Sequence, residues 1–142
     1  MTIYKHLLVA LDLSEDSNTV VERAKALAGA TGAELSLAHV IEPLTFAYGG
    51  DIPMDLTEVQ EQLQQQATDQ LAKIGSGLGL AEEQNHVIIG QPSAEIHRLA
   101  GEVDADLIVV GSHGRHGIAL LLGSTANGVL HGANCDVLAV RV

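Results

Sequence analysis

The sequence predicts an α/β fold: a single open, doubly wound five-stranded parallel sheet in the order β-α-β-α-β-α-β-α-β. Three observations support this fold. Short apolar runs alternate with segments of helical periodicity. The runs are continuously apolar, as in strands that carry helices on both faces. The chain has 142 residues, which suits one domain, so residues 1–142 are treated as a single unit.

The five predicted strands are short apolar runs bounded by Gly, Asp or Ser. They lie at residues 7–11, 35–41, 87–89, 107–110 and 137–140. Because a parallel sheet is covered by helices on both sides, we expect all five strands to be buried on both faces.

The four predicted helices lie between these strands. The first presents Val20, Ala24 and Ala28 on one face, with Ser14 as its N-cap and Gly29 or Gly32 as its end. The others have apolar residues spaced by three or four within 56–78, 96–103 and 126–130. The longest irregular stretch is 42–54, which is either a lid or binding loop or a plain surface crossover.

Composition excludes several classes of protein. The formal charge of −11 repels nucleic acid and anionic membranes, and the chain has no Trp, one Phe and two Tyr for stacking bases. No apolar run reaches the roughly 18 residues of a membrane span, and no signal pattern opens the chain. The single cysteine, Cys135, cannot form an internal disulfide. We expect a cytoplasmic protein without nucleic-acid binding or membrane insertion.

One segment, residues 107–125, carries the pattern of a binding site. A buried strand ends at Gly111, a loop with Gly114 and Gly117 follows, and a short helix opens at 123–125. Glycines let main-chain N–H groups approach phosphate oxygens. The segment lacks the Gly-Lys-Ser/Thr of a P-loop and does not follow the first strand, as a dinucleotide fingerprint would. From the residues alone, a nucleotide site and a plain turn both remain possible.

The motif Gly111-Ser112-His113-Gly114, a spacer, then Gly123-Ser124 resembles the Gly-x-x-Gly-spacer-Gly-Ser/Thr signature of the universal stress protein family. The resemblance extends over the chain through residues 5–14, 39–41, 90–92 and 135–142. We identify the chain as a member of the glycine-motif, ATP-binding branch, with a Rossmann-like fold. Its spacer, Arg115 to Leu122, is one residue shorter than is usual in that branch.

The resemblance implies an adenine-nucleotide site where the first and fourth strands meet. The main chain around Val40 would contact adenine, Ala10 and Val110 would wall the base and ribose, and Asp12 would hold the ribose or a metal-bound phosphate. The residues implied to contact ribose and phosphates are Gly111, Gly114, Gly123, Ser124 and Thr125. His113 would orient the loop, and Arg115 would offset phosphate charge. Asp12 could instead serve only to start the first helix.

The expected ligand is ATP, or ADP or AMP, with Mg²⁺ held through the phosphates and possibly by Asp12. His113 and His116 lack a fixed third ligand, so we expect no metal site from the protein alone. No nucleophile–base pair is evident, so we expect no catalytic residue and at most slow ATP hydrolysis. The remaining histidines are expected only to pack or face solvent: His6, His39, His86, His97 and His131.

The implied function is a stress-response regulator that acts through nucleotide-dependent conformation or binding of an unknown protein partner. The resemblance also implies a homodimer formed through the C-terminal strand, Asp136 to Val142. The alternative is a nucleotide-free homodimeric interaction protein in which the Gly-rich loop is only structural.

Overall fold

The computed structural model describes residues 3–43, 57–112 and 124–142. Its strands are β1 (His6–Ala10), β2 (Glu34–Ile41), β3 (Asn85–Ile89), β4 (Leu107–Ser112) and β5 (Asp136–Arg141). Its helices are α1 (Ser17–Thr31), α2 (Thr57–Gly77), α3 (Pro92–Glu102) and α4 (Ser124–Leu130). Within these ranges, no helix combines the length and apolarity needed to cross a bilayer.

The five strands form one parallel sheet in the order β3-β2-β1-β4-β5. The chain moves outward from β1 through β2 to β3, then returns to the other side of β1 for β4 and β5. In register, Ala10 at the end of β1 lies between Ala38 of β2 and Val110 of β4. The order of the strands therefore reverses between β1 and β4, which confirms the predicted fold class and gives it a topological switch point.

Two helical layers cover the two faces of the sheet. Alternate residues of β1 point to opposite faces: Leu7 and Val9 pack in one core cluster with α1 and α2, and Leu8 and Ala10 pack in another with α3 and α4. The expectation of two-sided burial holds for β1, where Leu7, Leu8 and Val9 are fully buried. It is wrong for β3, whose five residues are all only half-buried, and for β5, in which Val140 alone is buried, because both are edge strands of the described sheet.

The start of α1 differs from the prediction, whereas its end agrees. The N-cap is Asp16, not Ser14. The Ser14 hydroxyl is used instead in the turn before the helix, where it donates a hydrogen bond to Asp12 at 2.7 Å and accepts one from the Asp16 N–H at 3.3 Å. At the other end, Gly32 has φ 76° and its N–H bonds the Ala28 carbonyl at 2.8 Å. This left-handed conformation is the one that glycine adopts without strain.

Candidate functional site: a cleft at the carboxyl edge of the sheet

The carboxyl ends of β1, β2 and β4 surround a cleft of about 200 Å³ at the switch point. Pairing of β1 with β2 stops at Ala10 and Ala38, while β2 continues to Ile41 and β4 to Ser112. The short end of β1 therefore leaves a gap between two longer strands. Open α/β sheets bind ligands at this position.

Six of the residues proposed for the site line this cleft: Ala10, Asp12, Val40, Val110, Gly111 and Thr125. They come from four separate segments of the chain, and the fold brings them together. Gly111 and Thr125 also flank residues 113–123 in sequence. His113, Gly114, Arg115 and Gly123 lie outside the described residues, and Ser124 is described only as the first residue of α4.

One wall of the cleft is apolar. Ala10 and Val110 are neighbours across β1 and β4, and they are 8% and 2% exposed. Ile96 of α3, 2% exposed, lines the cleft beside them, with Pro92 at the first position of the same helix. A wall of small and branched apolar side chains suits a flat heteroaromatic ring, because it offers dispersion contacts without polar groups to desolvate.

The turn from β1 into α1 is organised by Asp12. Its Oδ1 accepts hydrogen bonds from the Ser14 N–H at 2.9 Å, the Ser14 hydroxyl at 2.7 Å and the Ser17 hydroxyl at 3.2 Å. Leu13, inside this turn, is held at φ 61°, a conformation that non-glycine residues rarely adopt. Asp12 thus shapes the start of α1 and also lines the cleft, so its structural and ligand-binding roles are compatible.

The described lining is acidic. It contains the carboxylates of Asp12, Asp16 and Glu42, and it includes neither Lys nor Arg among the described residues. A phosphate group placed here would be repelled unless a cation accompanied it. In the described ranges, no cluster of three His, Cys, Asp or Glu side chains could hold a metal ion alone. A Mg²⁺ ion at this cleft would therefore share its ligands between the protein and the phosphates.

Sequence reasoning missed His39, which lines the cleft. Its Nδ1 lies 2.7 Å from the main-chain oxygen of Leu11. A carbonyl oxygen only accepts, so Nδ1 bears a proton and donates it to this bond. The signal available in the sequence was its position next to Val40, at the end of a strand that leads to the switch point. The prediction that His6, His39 and His97 only pack or face solvent is wrong, because the ring of each makes a hydrogen bond.

Comparison with known proteins gives a consistent result. The family model described as "Universal stress protein family" matches residues 3–141. Universal stress protein A homolog 1 of Coxiella burnetii is 41% identical over 139 residues, which cover 96% of each chain. Universal stress protein A homolog 2 of the same organism is 44% identical, covering all of this chain and 98% of the relative.

Solved structures agree with these relatives. A crystal structure of a universal stress protein in complex with cAMP has a TM-score of 0.63 and 29% identity, covering 96% of both chains. Universal stress protein UspA from Lactobacillus plantarum has a TM-score of 0.77; at 22% identity it shows the shared fold alone. The family match over nearly the whole chain, the identities above 40% and the common fold lead to one conclusion: this chain belongs to the universal stress protein family.

Proposed function

We propose that the protein binds an adenine nucleotide, ATP with Mg²⁺, in the cleft at the carboxyl edge, and that it acts as a cytoplasmic regulator rather than an enzyme. The observation that carries this proposal is the end of β2. There a strand passes beyond its neighbour and offers main-chain groups to a cleft with an apolar wall.

The direction of the Val40 main chain follows from strand alternation. The Ala38 carbonyl accepts from the Leu11 N–H on the β1 side at 2.8 Å, and the Ile41 carbonyl accepts from the Gly90 N–H on the β3 side at 2.9 Å. Successive residues of a strand alternate the edge to which their N–H and C=O point. Val40 therefore turns both groups toward β1, beyond the point where β1–β2 pairing ends. A donor and an acceptor from one residue match the ring nitrogen and amino group of adenine.

In this proposal the base lies against the apolar wall, and the phosphates extend from it to the Gly-rich segment. Gly114, Gly123, Ser124 and Thr125 would supply donors there, and Arg115 would supply a positive charge. The acidic lining makes Mg²⁺ necessary for tight binding, and we expect a micromolar dissociation constant when it is present. The related protein crystallised with cAMP supports a site for adenine nucleotides in this family.

Isothermal titration with ATP, ADP and adenosine, with and without Mg²⁺, tests the proposal. Gly114→Val should abolish ATP binding, because a branched side chain would stand where a phosphate meets the main chain. Gly29→Val is the matched control, since an added Cβ there meets nothing within 4 Å on the surface of α1. Asp12→Asn keeps an oxygen for the turn but removes the charge, so it should reduce the effect of Mg²⁺ on ATP more than it reduces adenosine binding.

A second function is favoured by the charge of the cleft and by the short spacer. With three carboxylates in the described lining, the protein could remain free of nucleotide and act as a homodimeric interaction protein. If the wild type binds none of the three ligands with Mg²⁺ present, and releases no nucleotide on denaturation in mass spectrometry, this second function replaces the first.

We also propose that the protein forms a homodimer through β5. This strand pairs with β4 on one side and forms an edge of the described sheet, with Val137, Leu138 and Ala139 only half-buried. A second copy along this edge would cover these residues and pair the exposed main chain. Light scattering at micromolar concentration should give the mass of a dimer; a monomer mass would exclude this arrangement.

A further inference from the structure

The ladder of main-chain hydrogen bonds between β1 and β2 ends where a side chain takes the place of a main-chain donor. Its last main-chain bond among the described residues runs from the Leu11 N–H to the Ala38 carbonyl, at 2.8 Å. In a regular parallel ladder, the next bond would run from the Val40 N–H to the Leu11 carbonyl. That carbonyl instead accepts a hydrogen bond from the ring of His39, at 2.7 Å.

We propose that His39 is a positioning residue of the cleft: its ring occupies the Leu11 carbonyl, ends the β1–β2 ladder and leaves the Val40 main chain open to the ligand. The inference rests on the proposed function, because it assigns the Val40 N–H and C=O to the adenine edge. It adds the side chain that keeps these groups available.

Competition for one acceptor explains why a ring donor is needed here. Leu11 is 6% exposed, so its carbonyl has little access to water and requires a partner from the protein. The main-chain donor that a regular parallel ladder would offer to this carbonyl is the Val40 N–H. While the ring of His39 supplies the hydrogen bond, Val40 is not drawn into the ladder. Without that ring, pairing would advance by one bond and close the gap between β1 and β2.

Two substitutions of His39 distinguish the effect of its hydrogen-bond donor from the effect of its size. His39→Leu fills a similar space without a donor. His39→Asn places an amide N–H at the same number of bonds from the main chain as Nδ1, so it should restore the bond to Leu11. His97→Leu is the matched control, because His97 makes an equivalent 2.7 Å bond from its ring to the Val129 carbonyl but does not line this cleft.

The first measurement is amide hydrogen exchange of the ligand-free wild type by NMR. We expect the Val40 amide to exchange much faster than the Ala38 amide, and adenosine to slow its exchange. In His39→Leu, the Val40 amide should become protected without ligand, and adenosine should bind about tenfold more weakly, the loss of roughly one hydrogen bond. His39→Asn should recover most of the affinity, and His97→Leu should bind as the wild type does.

The outcomes distinguish this inference from the proposed function. A Val40 amide as protected as that of Ala38 in the ligand-free wild type would overturn the inference without any variant. If His39→Leu bound adenosine as tightly as the wild type, His39 would not position the site, although the nucleotide function would stand. If the wild type bound no adenosine or ATP, the proposed function and the ligand role of Val40 would both fail.

Discussion

The amino edge of the sheet, where the five strands begin, and its carboxyl edge, where they end, use the same kinds of polar residue in different ways. At the amino edge, Asp106 places its two carboxylate oxygens on the N–H groups of Lys5 and His6, at 2.8 and 3.0 Å. At the carboxyl edge, Asp12 gathers three hydrogen bonds on one oxygen and lines a cleft of about 200 Å³. The first aspartate joins two neighbouring strands, whereas the second shapes the rim of a cleft.

Other contacts strengthen the amino edge. The Tyr4 hydroxyl donates to Asp136 at 2.7 Å, which links the start of β1 to that of β5. The ring of His6 lies 2.7 Å from the hydroxyl of Ser36, a residue only 2% exposed. We therefore expect the two edges to contribute to different properties. Substitutions at the amino edge should change stability alone, and those at the carboxyl edge should change ligand binding.

The largest effect on stability is expected at Asp106. Burial, the largest single influence, raises the pKa of this carboxyl, but hydrogen bonds from His6, Lys5 and its own main chain together hold it below the usual value of 3.8. Asp106→Ala leaves two N–H groups without their acceptor and should lower the free energy of unfolding by about 2 kcal/mol. Urea unfolding at pH 7 measures this loss, and adenosine affinity should stay unchanged.

The sign of the pH dependence follows from the depressed pKa of Asp106. Its stabilising contribution is present above the unfolded-state pKa and is lost as pH falls through the folded-state value, below about pH 4. The Asp106→Ala protein should therefore lose less stability than the wild type in this acid range. Glu61→Ala, which removes an exposed carboxylate from α2, controls for net charge. A similar loss of stability in both variants would show that the bonds to β1 are unimportant.

A smaller effect is expected where α2 meets β3, also at the amino edge. A Cβ at Gly75 would lie 2.9 Å from Asn85 Cγ, closer than real side chains approach, and Asn85 Oδ1 is buried without a hydrogen-bond partner in the described structure. Gly75→Ala should therefore cost about 1 kcal/mol despite the better helix propensity of Ala. Thermal unfolding measures this cost.

Gly77→Ala is the control for Gly75→Ala, because its Cβ would meet nothing within 4 Å. Adding Asn85→Ala to Gly75→Ala should relieve the clash and recover stability, since the double variant removes the opposing amide. Equal melting temperatures for the two single alanine variants would mean that Asn85 moves aside without cost, and that this part of the amino edge is not tightly packed.

The sequence was sufficient for the fold because every strand carries a local signal, a short apolar run. The apolar runs did not reveal which strands are the outer ones of the sheet, and so β3 and β5 were both expected to be buried on both faces. The order of the strands depends on pairings between distant residues, such as Ala10 with Val110. For the same reason the bonds of Asp106 to His6 and of His39 to Leu11 were not predicted.

The site residues were predicted by resemblance rather than by pattern. The Gly-rich segment alone could not distinguish a nucleotide site from a plain turn, and Ala10 and Val40 have no local property that marks them as binding residues. The structure brings both into one cleft, because parallel strands present their carboxyl ends at the same edge. Their ligand contacts stay predictions until binding is measured.

The smallest effect is expected at His86, on β3 at the amino edge. Burial is the main influence that lowers its pKa from 6.5; the nearby His6 lowers it further, and Glu102 opposes both. The unfolded chain thus binds a proton more readily than the folded one, so the contribution of His86 to stability is complete above about pH 6.5 and falls as the solution is acidified below it. Because the side chain is only half-buried, we expect a change of less than about 0.5 kcal/mol.

Urea unfolding of His86→Gln between pH 5.5 and 7.5 should show a flatter dependence on pH than the wild type. His131→Gln, at an exposed position after α4, should leave that dependence unchanged, and identical profiles for His86→Gln and the wild type would exclude a role for His86.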